Sequence, residues 1–403
     1  MPVVDSHDAL PAFFIHFSLS HAELVACHRH ARALHPSSTV TIHAFPHQGH
    51  CSYSLLAHSS SALPITSKLE WSRACNGQTA KRQGSLPRLV QFRAPKHGLD
   101  LSITSAASCI YGRLAPATAY TGDVRCSDGG AVLKAYEMVV LSGVPYSSVQ
   151  PKLASLAADG VRHQERLVRH FARFLANGWH AAVDPDEVRN VADRVGVVGP
   201  SLLWRMQQLA DQLPTVSLRY TARCTLLKVQ AQGLKGLPVV LTHGDIVPSN
   251  MIVSWTTEGM SLEGMVDWAE AEWLHFGLGL YGLEHLLGFL HNEPQCGQGT
   301  DTKNEEQPAS SSPVWVYYDQ ADALRTMFWT ELAKHVPLDL WGHVKEATML
   351  ARDVGVLLWY GFAWDEGAIN RVVARNSDPI EVEHLEAFLR VGRDSGSEHC
   401  EPQ

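Results

Sequence analysis

The sequence lacks any segment long and apolar enough to span a membrane, and it lacks the basic excess of a nucleic-acid-binding protein. No stretch reaches the roughly 18 consecutive apolar residues that a membrane helix needs. Lys and Arg number 33 against 41 Asp and Glu, and the formal net charge is -8. A chain of this charge has no general attraction for phosphate backbones. We therefore expect neither a membrane nor a nucleic acid as partner.

Paired cysteines and the signatures of several enzyme classes are also missing. The eight cysteines form no CxxC pair, so neither a disulfide framework nor a zinc ribbon is indicated. No GxSxG, HExxH, Walker A or Rossmann glycine pattern occurs, which leaves serine hydrolases, zincins and dinucleotide enzymes without support. The N-terminal segment has no basic region before its short apolar run. Together with the scattered thiols, this predicts a cytoplasmic location.

The pattern of the 403 residues changes along the chain from strand-rich to helix-rich. Short apolar runs of strand type occupy residues 39–45, 51–58, 88–95 and 131–141, whereas amphipathic helical spacing predominates beyond Gly143. Helices are predicted at residues 20–35, 100–111, 154–175, 201–213, 323–335 and 351–364. Two polar, Ser-rich stretches predict an inserted loop at 59–87 and a mobile loop at 291–313.

One stretch, LPVVLTHGDIVPSNMIVSWTTEGMSLEGMVDWAEAEW, begins at Leu237 and concentrates polar side chains between short strands. An apolar strand leads to Asp245 in a tight loop that closes at Asn250. Two further strands, MIVS and LEGMV, form a hairpin that returns the chain to Asp267. We therefore expect Asp245, Asn250 and Asp267 to lie close together.

Oxygen ligands grouped in this way suit phosphoryl transfer. Such a site must hold Mg²⁺ on nucleotide phosphates and orient an attacking hydroxyl in line. Mg²⁺ prefers carboxylate and amide oxygens and keeps several waters, which fits one Asn and one Asp plus phosphate. Asp245 is the candidate catalytic residue, and Asn250 and Asp267 are the candidate metal ligands.

HGDIVPSN followed by MVDWAEA resembles the catalytic loop and metal-binding motif of the aminoglycoside phosphotransferase and choline kinase group. The resemblance implies an α+β, two-lobed protein-kinase-like fold, with a β-rich N-lobe at residues 1–138 and a mainly helical C-lobe at 139–403. It also implies ATP and Mg²⁺ as cofactors, Asp245 as catalytic base, and a small-molecule acceptor whose hydroxyl or amine receives the phosphoryl group.

Four more residues take N-lobe roles by the same resemblance, which rests on PHQGHCSYSLLA, RLVQFRAP and YEMVVLSGVPY. Gly49 would lie in the turn that covers the nucleotide, and Arg93 would be the cation that pairs with phosphate. Glu137 and Met138 would form the hinge that faces adenine. The helix after Arg93 offers no Glu to pair with it, only Asp100, and the covering turn has a single glycine.

These departures leave other functions open. A nucleotide-binding pseudoenzyme or interaction protein would keep the fold without efficient turnover, and the scaffold could serve a different reaction. Side chains nearby also allow two interpretations. Glu270 and Glu272 either support the magnesium shell or attract a cationic substrate, or they belong to a solvated, acidic helix start. The aromatic run from Trp359 to Trp364 is either core or a box for a substrate ammonium.

Overall fold

The structure, a computed structural model, describes most of the chain. The described residues are 10–59, 86–125, 132–153, 157–183, 198–231, 233–256, 258–292, 313–336, 338–365 and 368–390. The predicted loop at 59–87 falls outside them from residue 60 to 85, and the predicted mobile loop falls outside from 293 to 312. The ends of that second loop, residues 291–292 and 313, lie in strands, so its predicted bounds were too wide.

The described elements are eleven α-helices and fourteen strands. The helices are α1 Ala12–His16, α2 His21–Leu34, α3 Leu101–Tyr111, α4 Gln150–Leu153, α5 Ala157–His180, α6 Leu202–Gln212, α7 Val216–Gln230, α8 Glu284–Leu287, α9 Ala321–Ala333, α10 Leu338–Tyr360 and α11 Pro379–Arg390. The strands are β1 Val40–Ala44, β2 Ser52–Ser59, β3 Arg88–Arg93, β4 Thr118–Val124, β5 Leu133–Val139, β6 Val144–Pro145, β7 Val239–Thr242, β8 Met251–Thr256, β9 Gly259–Met265, β10 Glu272–His275, β11 Gly288–Asn292, β12 Pro313–Tyr317, β13 Phe362–Asp365 and β14 Ala368–Val372.

The chain divides into two compact units. The first contains Met1–Pro145, Asn250–Thr256 and Leu262–Ala269, and the second contains Tyr146–Ser249, Thr257–Ser261 and Glu270–Gln403. The β8–β9 hairpin therefore belongs largely to the first unit, although it follows α7 in sequence. The lobe boundary predicted at residue 138 stays a prediction.

The first unit is built on a five-stranded antiparallel sheet in the order β1-β2-β3-β5-β4. Aromatic and aliphatic side chains cover one face, among them Phe14, Tyr53 and Phe92. Helix α2 begins in a capping box, in which Ser20 accepts a backbone N–H and Glu23 reaches back to the Ser20 backbone. A three-stranded sheet, β6-β8-β9, carries the hairpin.

The second unit is mainly helical, with short two-stranded sheets formed by β7 with β10, β11 with β12, and β13 with β14. A buried carboxylate, Glu284 at the start of α8, joins three helices: it accepts from Arg352 of α10 at 2.8 Å and from Arg325 of α9 at 3.0 Å. Burial alone would raise the pKa of Glu284, but the two guanidinium groups outweigh it and lower the pKa. Among the described residues no helix is long and apolar enough to cross a membrane.

The predicted order of strands followed by helices is confirmed, with one error near residue 360. Helix α10 starts earlier than predicted and ends at Tyr360, and Phe362–Asp365 form strand β13 rather than the last helical turn. Gly361 marks the change, because the chain leaves the helix there and pairs Phe362 with Val372. The aromatic residues at this point suit a strand as well as a helix, so periodicity alone could not separate the two.

Gly244 sits in the loop after β7 and has a backbone that other residues rarely adopt. Its φ is +80°, and a Cβ placed there would lie 2.0 Å from the Glu270 carbonyl oxygen. An L-residue with positive φ costs about 1–2 kcal/mol from strain alone. The close approach adds a clash with backbone, which cannot move aside as a side chain would.

We predict that Gly244→Ala lowers the free energy of unfolding by more than Gly236→Ala does. Gly236 is the matched control, because its φ is +91° and nothing lies within 4 Å of its added Cβ. The control should lose about 1–2 kcal/mol from strain, and Gly244→Ala about 1–3 kcal/mol more from overpacking. Urea denaturation of both variants measures the difference, and equal losses would contradict it.

Candidate functional site

The base of the β8–β9 hairpin brings Asn250 and Asp267 to the same end, as predicted from the sequence. The two strands are neighbours in one sheet, and the Val266 N–H donates to the Asn250 carbonyl at 2.9 Å. Asp267 directly follows Val266 in the chain. The two candidate metal ligands thus leave the sheet side by side.

Asp267 has an unusual backbone. Its φ is +62°, and Ser18 is the other described non-glycine residue with positive φ. The Trp268 side chain holds the segment on both sides, since its indole N–H donates to the Met265 carbonyl at 2.9 Å and its ring packs on Tyr111 at 4.9 Å. Strained backbone of this kind collects at functional sites, where surrounding contacts maintain it.

Arg93, at the end of β3, pairs with Asp267. Its Nη2 donates to Asp267 Oδ1 at 3.0 Å, and its side chain is 7% exposed against 48% for Asp267. Two further guanidinium nitrogens donate, Nε to Gln91 Oε1 at 2.7 Å and Nη1 to the His97 carbonyl at 3.4 Å. The candidate phosphate-pairing cation and a candidate metal ligand are therefore in direct contact.

This pairing corrects the expectation that Asp100 is the acidic candidate for Arg93. Asp100 is instead the N-cap of α3, where its carboxylate accepts from the backbone N–H groups of Ser102 and Ile103. Sequence reasoning missed Asp267 as the partner of Arg93, because 174 positions separate the two. No local signal in the sequence could have joined them.

Gly49 lies in the turn between β1 and β2, as expected. Ser52 connects it to Arg93, because it pairs with both. Gly49 forms an isolated bridge with Ser52, and Ser52 is the cross-strand partner of Arg93. A Cβ at position 49 would lie 2.8 Å from Ser52 Oγ. Glycine here allows the turn to pack closely on Ser52, the first residue of β2.

Glu137 and Met138 lie inside β5 rather than at its end. Glu137 is paired with Val90 on one side and Ala119 on the other, and Met138 is likewise flanked by β3 and β4. Their backbone groups are directed to neighbouring strands. The Glu137 carboxylate lies 2.9 Å from His35 Nε2. Their predicted role at adenine stays a prediction, and the sheet restricts it to side-chain contacts.

In the second unit, Asp245 follows β7 in a loop that is held by two neutral acceptors. The Asp245 N–H donates to His243 Nδ1 at 3.2 Å, and the Ile246 N–H donates to the Tyr281 hydroxyl oxygen at 2.8 Å. His243 is 1% exposed, which agrees with a bracing role rather than a chemical one. The predicted closeness of Asp245 to Asn250 and Asp267 stays a prediction.

Tyr281 is the contributor that sequence reasoning missed. It lies in the 3-10 helix Leu278–Leu283, is fully buried, and stacks on Trp359 at 5.1 Å. Gly282 beside it has no room for a side chain, since a Cβ would lie 2.2 Å from Ile246 Cγ2. Burial raises the pKa of the Tyr281 phenol, and the nearby Asp245 charge raises it further, so the phenol is neutral. The closely spaced glycines in GLGLYGLEH were the sequence feature that could have indicated a tightly packed segment around Tyr281.

The residues at the hairpin base fit a magnesium ion. They offer an amide and a carboxylate, both hard oxygen donors. Mg²⁺ keeps waters and takes further ligands from phosphates, so two protein ligands are enough for it. Within the described ranges no three His, Cys, Asp or Glu side chains form a metal-binding group.

The structure shows a structural contact for Glu272. Its two carboxylate oxygens accept from Val198 N at 2.8 Å and Gly199 N at 3.0 Å, and it lies in strand β10 rather than at a helix start. In the aromatic run, Tyr360 and Phe362 are buried, whereas Trp364 is 45% exposed. The acidic roles of Glu270 and Glu272 and the ammonium box stay hypotheses.

Comparison with known proteins gives a match to a family profile over part of the chain, and a fold. Residues 111–277 match the sequence profile of APH, the phosphotransferase enzyme family. Among curated proteins, none matches the sequence.

Three solved structures align with most of this chain. The GDP complex of aminoglycoside 2'-phosphotransferase-IIIa aligns with a TM-score of 0.50 at 15% identity, over 90% of this chain and 97% of that one. An ethanolamine kinase from Plasmodium vivax aligns with a TM-score of 0.45 at 11% identity, over 91% and 86%. A glucosamine kinase aligns with a TM-score of 0.42 at 12% identity, over 91% and 80%.

The first of these likenesses, with its TM-score of 0.50, shows the fold. The predicted α+β, protein-kinase-like fold, β-rich in its N-terminal part and mainly helical beyond, is confirmed. So is the resemblance from which it was predicted: over residues 111–277, this chain carries the sequence pattern of the phosphotransferase enzyme family.

Proposed function

We propose that this protein is a small-molecule kinase that uses ATP and Mg²⁺ to phosphorylate a hydroxyl or amine. The phosphotransferase family pattern and the kinase-like fold support the general class. The observation that carries the finer proposal is the contact between Arg93 and Asp267 beside Asn250. It joins a cation suited to phosphate with two oxygen donors suited to Mg²⁺ in one unit.

In this proposal each group has one task. Asn250 and Asp267 hold the metal ion, which when bound would neutralise charge on the phosphates. Arg93 would grip a phosphate with its planar guanidinium, which matches phosphate geometry. Asp245 would orient the acceptor hydroxyl and accept its proton. Gly49 would lie over the phosphate chain.

Glu137 and Met138 would face adenine. Because both residues are paired to neighbouring strands through their backbone, their side chains would make the contact.

A nucleotide-binding pseudoenzyme is the second candidate. One observation favours it: Asp267, a proposed metal ligand, already accepts a hydrogen bond from Arg93 through Oδ1. A site that keeps this pair closed could bind nucleotide without efficient transfer.

Calorimetry with ATP in the presence and absence of Mg²⁺, followed by ADP release over a panel of small polar metabolites, tests the proposal. We expect Mg²⁺-dependent ATP binding and release that one chemical class of acceptor stimulates. Tight ATP binding without release from any acceptor or water would favour the pseudoenzyme. Absence of ATP binding would refute both.

Paired substitutions separate the proposed catalytic residue from the proposed ligand. Asp245→Asn should lower kcat about 10²–10⁴-fold, as expected for loss of a general base, with ATP affinity unchanged. Asp267→Asn tolerates positive φ and should weaken Mg²⁺-dependent ATP binding itself. Asp322→Asn is the control, because this carboxylate is 98% exposed on α9. Unchanged turnover in Asp245→Asn would refute its role.

Tyr281→Phe tests whether the phenol positions the Asp245 loop. The substitution leaves the buried Ile246 N–H unpaired, at a cost of about 1–3 kcal/mol, so its amide hydrogen should exchange about tenfold faster or more. We expect kcat to fall while KM for ATP stays constant.

Tyr318→Phe is the matched control, since that buried hydroxyl also makes a 2.8 Å backbone bond, to the Gln150 carbonyl. Tyr318→Phe should lower the free energy of unfolding by a similar amount, but the Ile246 amide hydrogen should exchange no faster. Equal exchange at Ile246 in the two variants would show that Tyr281 contributes stability alone.

A further inference from the structure

Basic side chains gather around Arg93 at the end of the five-stranded sheet. They come from α1, from the turn between β1 and β2, and from the 3-10 helix Pro95–His97 that follows β3. We call them the basic cluster: His16, His50, Arg93, Lys96 and His97. The turn lies at the Arg93 end of the sheet, because Gly49 bridges Ser52 and Ser52 pairs with Arg93.

Ring contacts hold the cluster together. The His16 and His50 rings lie 4.4 Å apart between centroids. Phe17 lies between the other members: its ring is 5.6 Å from that of His97, and the Lys96 ammonium lies over it at 5.3 Å. These contacts bring side chains of separate elements to one patch.

Neighbouring positive charge disfavours protonation of His97. Burial lowers the pKa of His97, and Lys96, Arg93, His50 and His16 lower it further, in that order. Asp267 is the carboxylate that reaches the cluster, and Arg93 is its partner. His50 and Lys96 are exposed and His97 is half-buried, so an anion from solvent can reach them. A polyanion bound here would offset this positive charge.

We propose that the basic cluster binds the phosphate chain of a nucleoside triphosphate, with His50, Lys96 and His97 as direct phosphate ligands. The inference rests on the proposed function and deepens it. In a glycine-rich turn, backbone N–H groups cradle phosphates. Here the turn has one glycine, and imidazole and ammonium donors from the turn and from the 3-10 helix Pro95–His97 supply the contacts instead. His16 orients His50 by ring packing and is a positioning residue.

Binding of four probes to the full chain tests this site: ATP, ADP, adenosine and inorganic tripolyphosphate. We expect His50→Gln, His97→Gln and Lys96→Met each to weaken ATP and tripolyphosphate binding about three- to tenfold, the net size of one ordinary hydrogen bond at a solvent-accessible site. The triple variant should lose about 10²-fold. Adenosine binding should not change, and the loss should shrink as salt rises.

Two substitutions outside the cluster serve as matched controls. His43→Gln removes an imidazole of β1 that packs on His58 at 5.0 Å, and Lys228→Met removes an exposed ammonium from α7. Both should bind ATP as the unchanged protein does. The substituted cluster residues are not core residues, so thermal melting should be unaltered.

The outcomes separate this inference from the proposed function. If the unchanged protein binds ATP and the cluster variants bind it equally well, the phosphate site is refuted and the kinase proposal stands. An equal loss for adenosine would also refute it, because the effect would not lie at the phosphates. If the unchanged protein binds neither ATP nor tripolyphosphate, both proposals fail.

Discussion

The ion pair between Arg93 and Asp267 determines how the first unit is assembled at its candidate site. A guanidinium does not lose its charge in a protein, so a buried one needs a full set of acceptors. Arg93 finds them in Gln91, the His97 carbonyl and Asp267. The pair ties the base of the β8–β9 hairpin to the end of β3, and it takes over the structural task that a glutamate on α3 would have had.

In the second unit, the loop that contains Asp245 is held by uncharged acceptors instead of an ion pair. Its amides donate to an imidazole nitrogen and a phenol oxygen, both uncharged. Such acceptors satisfy the backbone without adding a charge near Asp245. Neither of these two bracing groups is a cation, so the loop is shaped by backbone hydrogen bonds to uncharged acceptors.

Local geometry could be predicted from the sequence, and long-range partnership could not. A hairpin returns the chain to its start, so the spacing of Asn250 and Asp267 was enough to bring them together. The partner of Arg93 depends on how β3 and the hairpin pack, and the acceptor for Ile246 depends on the segment around Tyr281. The apolar residues near Tyr360 fit both the helical and the strand periodicity, so the sequence placed the end of α10 too late.

Charge balance suggests how a nucleotide and a divalent cation would bind in the first unit. Asn250 is neutral, and Arg93 already offsets the single negative charge of Asp267. A cation alone would thus meet little net attraction there, since the nearest carboxylate is shared with a guanidinium. A phosphate chain on the basic cluster would supply Arg93 with new acceptors and leave Asp267 free to act as a ligand. We therefore expect Asp267 to bind metal well only when phosphate is present, which couples the two binding events.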